Sequence, residues 1–110
     1  MAEQLVALQV KDADNVATIF ADDVIPGTVI AILDPSGIQT PLTVRDAIPY
    51  GHKVAVRPIA VGELIIKYGE EIGVATHDIA AGAYVHVHNL DSMRGRGDLE
   101  RMTQEGVQDA

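Results

Sequence analysis

The segment Tyr84-Val85-His86-Val87-His88-Asn89 carries the densest set of reactive side chains in this 110-residue sequence. On a β-strand, side chains alternate between faces, so Val85 and Val87 point one way while Tyr84, His86 and His88 point the other. Two imidazoles on one face, roughly 6–7 Å apart from the strand rise, can converge on one metal ion or one oxyanion. There is no cysteine, which excludes disulfides, thiolate zinc sites and a nucleophilic thiol. A His86-x-His88 pair with a nearby carboxylate or water then suits Fe(II), Mn(II) or Zn(II). The same alternation also suits the polar outer face of a half-buried strand.

Further candidates stand elsewhere. His52 and Lys53 directly follow Gly51. A histidine in a turn is solvent-accessible and titrates near neutral pH, which suits general acid or base work, and the lysine adds a fixed positive charge. The plainer alternative is a surface turn with two polar residues. Lys67 interrupts an apolar run, Ile65-Ile66-Lys67-Tyr68. Arg94 and Arg96 have the guanidinium geometry to grip a carboxylate with two parallel bonds, although they fall in a stretch that also reads as a tail. Phosphate loops, Gly-x-Ser-x-Gly elbows and dinucleotide fingerprints are absent, and no complete catalytic constellation is present.

The elements that must position these groups are announced by one pattern that occurs four times: an apolar residue, two others, glycine, two others, then an apolar residue. The copies run from Val24 through Gly27 to Ile30, from Ile48 through Gly51 to Val54, from Ile59 through Gly62 to Ile65, and from Ile79 through Gly82 to Val85. Each reads as a tight turn with glycine at positive φ feeding a strand. The glycines are unevenly spaced, which argues against a solenoid and for a compact, irregular all-β domain with recurring turns. Strands are expected over Leu5–Val10, Val16–Phe20, Val29–Leu33, Ile38–Val44, Lys53–Arg57, Leu64–Tyr68, Glu71–Ala75 and Tyr84–His88. The alternative for Asp14–Ala21 is a short helix capped by Asp14. Residues 1–90 are read as the β domain and 91–110 as a Gly/Arg-containing tail, with Asp98 able to cap a short helix over Leu99–Gln104.

Composition sets the outer bounds. With 47% hydrophobic and 22% charged residues, the chain has ordinary globular character. Its eight Lys and Arg face sixteen Asp and Glu, a net charge of −8, which argues against nucleic acid and against anionic membranes as partners. An anionic substrate would need a local cluster of positive groups to overcome that field. No basic leader and no apolar run near the roughly 18 residues of a membrane span are present, so a soluble cytoplasmic protein is expected.

Three ordered stretches resemble a known family: Gly51-His52-Lys53-Val54-Ala55-Val56-Arg57-Pro58-Ile59-Ala60-Val61-Gly62, then Ile66-Lys67-Tyr68-Gly69-Glu70-Glu71-Ile72-Gly73, then Asp78-Ile79-Ala80-Ala81-Gly82 with Val85-His86-Val87-His88-Asn89-Leu90. Together with Asp14-Asn15-Val16-Ala17, they resemble the N-terminal SAF-type module of the altronate and galactarate dehydratases over about residues 10–98. The resemblance implies removal of water from a six-carbon sugar acid to give a 2-keto-3-deoxy acid, with Fe(II) or another divalent metal held mainly by a large subunit. It implies catalytic roles for His52, His86 and His88, substrate binding by Lys53, Lys67, Asn89, Arg94 and Arg96, and metal contacts from His86 and His88. One departure is Lys11-Asp12-Ala13, which stands where many members carry a histidine-containing segment, so no ligand role is carried over there.

In several members the small module and the large catalytic domain are separate chains, among them two-subunit sulfolactate sulfo-lyases that eliminate sulfite. The expectation is therefore a small subunit, inactive alone, that works with a large catalytic subunit on a small sugar acid, with a homo-oligomer as a further option. Two alternatives stay open: a sulfolactate sulfo-lyase small subunit, and a non-catalytic SAF-type module for ligand binding or assembly.

Overall fold

The computed structural model describes residues 5–92, and among them the fold is all-β with no helix. The strands are β1 (Val6–Leu8), β2 (Val16–Ile19), β3 (Val29–Leu33), β4 (Gln39–Thr43), β5 (Lys53–Ala55), β6 (Leu64–Lys67), β7 (Glu70–Ala75), β8 (Tyr84–Val85) and β9 (Leu90–Ser92). One mixed sheet has the order β4-β3-β1-β2-β5-β8, and a smaller antiparallel sheet has the order β6-β7-β9. The helical alternative for 14–21 is overturned. All four side chains of β2 are buried, and its β-branched Val16, Thr18 and Ile19 suit a strand with neighbours on both faces. β9 was not expected; it pairs with β7 across residues 90–92.

The four glycine turns are the joints of this architecture, and they pair two by two. Val24 bridges Ile48, and Ile59 bridges Ile79, so the first residue of each copy meets the first residue of another. The turn glycines Gly27, Gly51, Gly62 and Gly82 have φ of 91°, 82°, 87° and 88°. Their amides donate to carbonyls of Val44, Ile19, Ala75 and Ala55 at 2.8–2.9 Å. Glycine is demanded most strongly at Gly82, where a Cβ would also run into the Thr43 carbonyl.

Two apolar clusters lie on opposite faces of the larger sheet. Ala17, Ile19 and Val54 belong to the first, with Tyr84 packed on its margin. Val16, Ala55 and Val85 belong to the second. Consecutive residues of β2, β5 and β8 thus divide between the two, as strand alternation requires. Val54, Ile65 and Val85 are each 0% exposed, as the turn-then-strand pattern anticipates. At one margin the exposed edge strand β4 carries Pro41, which presents no N–H to a further strand.

A buried polar pair locks the smaller sheet to the larger. Asp14 and Asn15 are each 1% exposed. The Asp14 carboxylate accepts four backbone N–H bonds, from Val10 (3.2 Å), Lys11 (3.1 Å), Tyr68 (3.1 Å) and Gly69 (2.8 Å). The Asn15 amide donates to the Leu64 carbonyl and accepts from the Ile66 N–H, both at 2.8 Å. Burying these groups is tolerable only because their bonds are made.

Replacing Asp14 with alanine strands four backbone donors, at a cost of about 1–3 kcal/mol for each buried group left unsatisfied. Chemical denaturation of Asp14→Ala is expected to show a loss of at least about 3 kcal/mol, a large share of the roughly 5–15 kcal/mol typical of a domain. A loss below about 1 kcal/mol would show that the pair is not the lock described.

Candidate functional site

The ring of Tyr84 is the centre of the candidate site. Its hydroxyl lies 2.6 Å from His52 Nδ1. The His86 ring stacks on it at 5.6 Å with the planes 6° apart, and the His88 ring tilts against it at 5.4 Å. His52 and His86 are themselves 5.0 Å apart between ring centres. The three histidines expected to be catalytic are therefore brought together, around a tyrosine that the residue-level reading placed on their strand face without giving it a role.

The local backbone differs from expectation after Val85. The strand does not continue to His88; residues 86–89 form a turn. The cause is Asn89, whose side-chain amide donates to the Tyr84 carbonyl (2.9 Å) and accepts from the His86 N–H (3.0 Å). Those backbone groups lie on the outer edge of β8, away from the ladder to β5. The Asn89 N–H returns to the His86 carbonyl at 3.0 Å, closing the turn. Both ends of the Asn89 side chain are thus committed to backbone, and the residue is 8% exposed; in this geometry it supports His86 rather than facing solvent.

Lys53 and Lys67 add the positive charge. Lys53 lies on β5, opposite Thr18 of β2 and Val85 of β8. Lys67 ends β6, its Nζ 4.8 Å from the centre of the Tyr68 ring. Burial, and then the neighbouring charge of Lys67, hold the Lys53 ammonium below its ordinary pKa. Neither lysine is ion-paired among the described residues. His86 is half-buried, and its pKa is lowered by desolvation first, then by Lys53, His52 and His88. Lys53, the first residue of β5, and His52, the residue before it, both act electrostatically on His86 in the turn after the edge strand β8.

Among the described residues, no three His, Cys, Asp or Glu side chains are placed to hold a metal ion. The His86 and His88 pair therefore lacks a completing ligand within this part of the chain, and no chemical step is routed through a metal here. Arg94 and Arg96, expected as substrate contacts, lie outside the described residues. No described helix is long and apolar enough to cross a membrane.

The depressed pKa of His86 is open to direct measurement. In a side-chain NMR titration, His86 is expected to titrate below the ordinary histidine value of about 6.5. Lys53→Met should move it upward, because a removed positive neighbour no longer opposes protonation. A midpoint at or above the ordinary value would contradict the electrostatic picture.

With this geometry in view, the comparisons with known proteins are specific. The altronate/galactarate dehydratase SAF domain matches residues 5–93. Altronate dehydratase of Escherichia coli is 40% identical over 107 residues, covering 91% of this chain and 20% of that enzyme. The (2R)-sulfolactate sulfo-lyase subunit alpha of Chromohalobacter salexigens is 49% identical over 51 residues, 46% of this chain and 54% of that subunit. Galactarate dehydratase (L-threo-forming) of E. coli is 37% identical over 78 residues, 71% of this chain and 14% of that enzyme. The chain spans a fifth of the first of these relatives and about half of the second. On the match across residues 5–93, the chain belongs to the altronate/galactarate dehydratase SAF domain family.

Proposed function

We propose that this chain serves as the small subunit of an altronate dehydratase-like hydro-lyase, removing water from an aldonic or aldaric acid together with a large catalytic subunit. The observation that carries the reading is the ring cluster of His52, Tyr84, His86 and His88 with Lys53 acting on it and Lys67 close to Lys53, neither lysine ion-paired among the described residues. Two ammonium groups held near one another without an anion among the described residues suit the carboxylate of a sugar acid.

Elimination from a 2,3-dihydroxy acid requires a base to take the proton from the carbon beside the carboxylate. It also requires positive charge to hold the resulting enediolate, and a proton donor for the hydroxyl leaving C3. The enol left behind tautomerises to the 2-keto-3-deoxy acid. His86, biased toward its neutral form, suits the base; Lys53 and Lys67 suit the enediolate. Fe(II) or another divalent ion is assigned to the large subunit. The separate large partner is supported by relatives that are themselves named as a subunit alpha.

Those same relatives favour one alternative substrate, (2R)-sulfolactate. A sulfonate is an oxyanion that the same lysines would meet.

The chain would be assayed with altronate, galactarate and sulfolactate, with Fe(II), alone and co-expressed with a large dehydratase-type chain from its own source. Activity is expected only from the pair, and the substrate consumed decides between loss of water and loss of sulfite. His86→Ala in the pair should lower turnover at least about tenfold, within or near the 10²–10⁴ typical of acid–base groups. With His86 as base, the rate should fall as pH drops through its lowered pKa, and so persist to more acidic pH than an ordinary histidine allows. Full activity of the small chain alone would refute the two-subunit reading; a pair with no activity would favour a non-catalytic binding or assembly module.

A further inference from the structure

The hydrogen bond between Tyr84 and His52 determines more than packing. Its heavy atoms are 2.6 Å apart, short for an O–H to nitrogen bond. Of the two neutral groups, phenol is the stronger acid and imidazole the stronger base, with ordinary pKa values of about 10 for tyrosine and about 6.5 for the imidazolium. The hydroxyl therefore donates and Nδ1 accepts, which places the hydrogen of a neutral His52 on Nε2. Nε2 has no hydrogen-bond partner among the described residues.

Tyr84 is itself held on every side. Its N–H donates to Asp46 Oδ2 at 2.8 Å, and its carbonyl accepts from Asn89 Nδ2 at 2.9 Å. Its ring packs against the first apolar cluster and contacts the rings of both His86 and His88. His52 is likewise tethered, its N–H donating to the Pro49 carbonyl (3.1 Å) and its carbonyl accepting from Ile19 (2.9 Å). Neither ring can turn away cheaply.

We propose that Tyr84 is the positioning residue for His52, fixing its tautomer so that Nε2–H is presented as a hydrogen-bond donor and His52 is not the base of the cluster. Its use in catalysis rests on the dehydratase reading: Nε2–H would meet an oxygen that gains negative charge during elimination, leaving proton abstraction to His86 or His88. The tautomer itself does not depend on that reading.

The test begins with the full chain alone, labelled with ¹⁵N, at about pH 8.5, two units above the ordinary histidine value. Long-range ¹H–¹⁵N spectra are expected to show His52 as a single form protonated on Nε2, with a downfield, exchange-protected Tyr84 hydroxyl proton correlated to Nδ1. Tyr84→Phe keeps the ring and its packing but should abolish that proton and release His52 into a mixture of tautomers, with the other amide resonances unmoved. In the assembled pair, the same variant should lower kcat about tenfold while leaving KM within about twofold, the pattern of an interaction made in the transition state. A wild-type His52 protonated on Nδ1, or a Tyr84→Phe spectrum with the His52 tautomer unchanged, overturns the proposal whatever the activity. If the wild-type pair eliminates nothing while the spectra behave as expected, the dehydratase reading fails and the assignment of Tyr84 stands.

Discussion

Asp14 and Asn15 impose the constraint on which the arrangement of the site depends. A carboxylate and an amide taken out of water must have their bonds supplied by protein, and here the donors and acceptors come largely from β6 and the turn after it. Leu64, Ile66, Tyr68 and Gly69 all bond to this pair. Lys67 sits in the middle of that set, so its backbone is fixed by bonds to Asp14 and Asn15. Lys53 is placed through β2, the strand that begins at the very next residue. The nearness of the two lysines thus follows from two buried side chains.

The second organising feature is a single sheet with a core on each face. Strand alternation sends consecutive residues to different cores, so a polar residue can appear near both only where the sheet ends. β8 is that end. It is two residues long, Asn89 stops it, and the chain turns with His86 and His88 gathered on Tyr84. The histidines from the turn after β8 and the histidine before β5 meet because the pairing of β5 with β8 sets Lys53 against Val85 and Val54 against Tyr84. One register decides the whole cluster, since a slip by one residue would send Tyr84 to the opposite face.

Membership of the dehydratase SAF family and the geometry support each other at different levels. The family match says what kind of protein contains such a module; the geometry distinguishes among its polar residues. Asn89 bonds to the backbone, Tyr84 to His52, and Lys53 acts on the charge of His86. His86 is biased toward neutrality by burial and by its cationic neighbours, which is the state a base requires.

The all-β class, the positions of eight strands and the four glycine turns were legible in the amino-acid sequence, because turn chemistry and apolar alternation are local properties. Val29–Leu33 was legible to the residue. His52, His86 and His88 were legible as candidates because few other residue types do their chemistry in a chain without cysteine. The sequence by itself contained no account of why the turns come in four: that Val24 pairs with Ile48 and Ile59 with Ile79 is a contact between distant segments. Nor did alternation foresee the end of β8, since the turn that follows it is held by a side chain three residues beyond His86. Tyr84 became a site residue only when β5 and β8 came together and set its hydroxyl on His52. Local pattern determined the parts, and long-range pairing with the satisfaction of buried polar groups decided which of them meet.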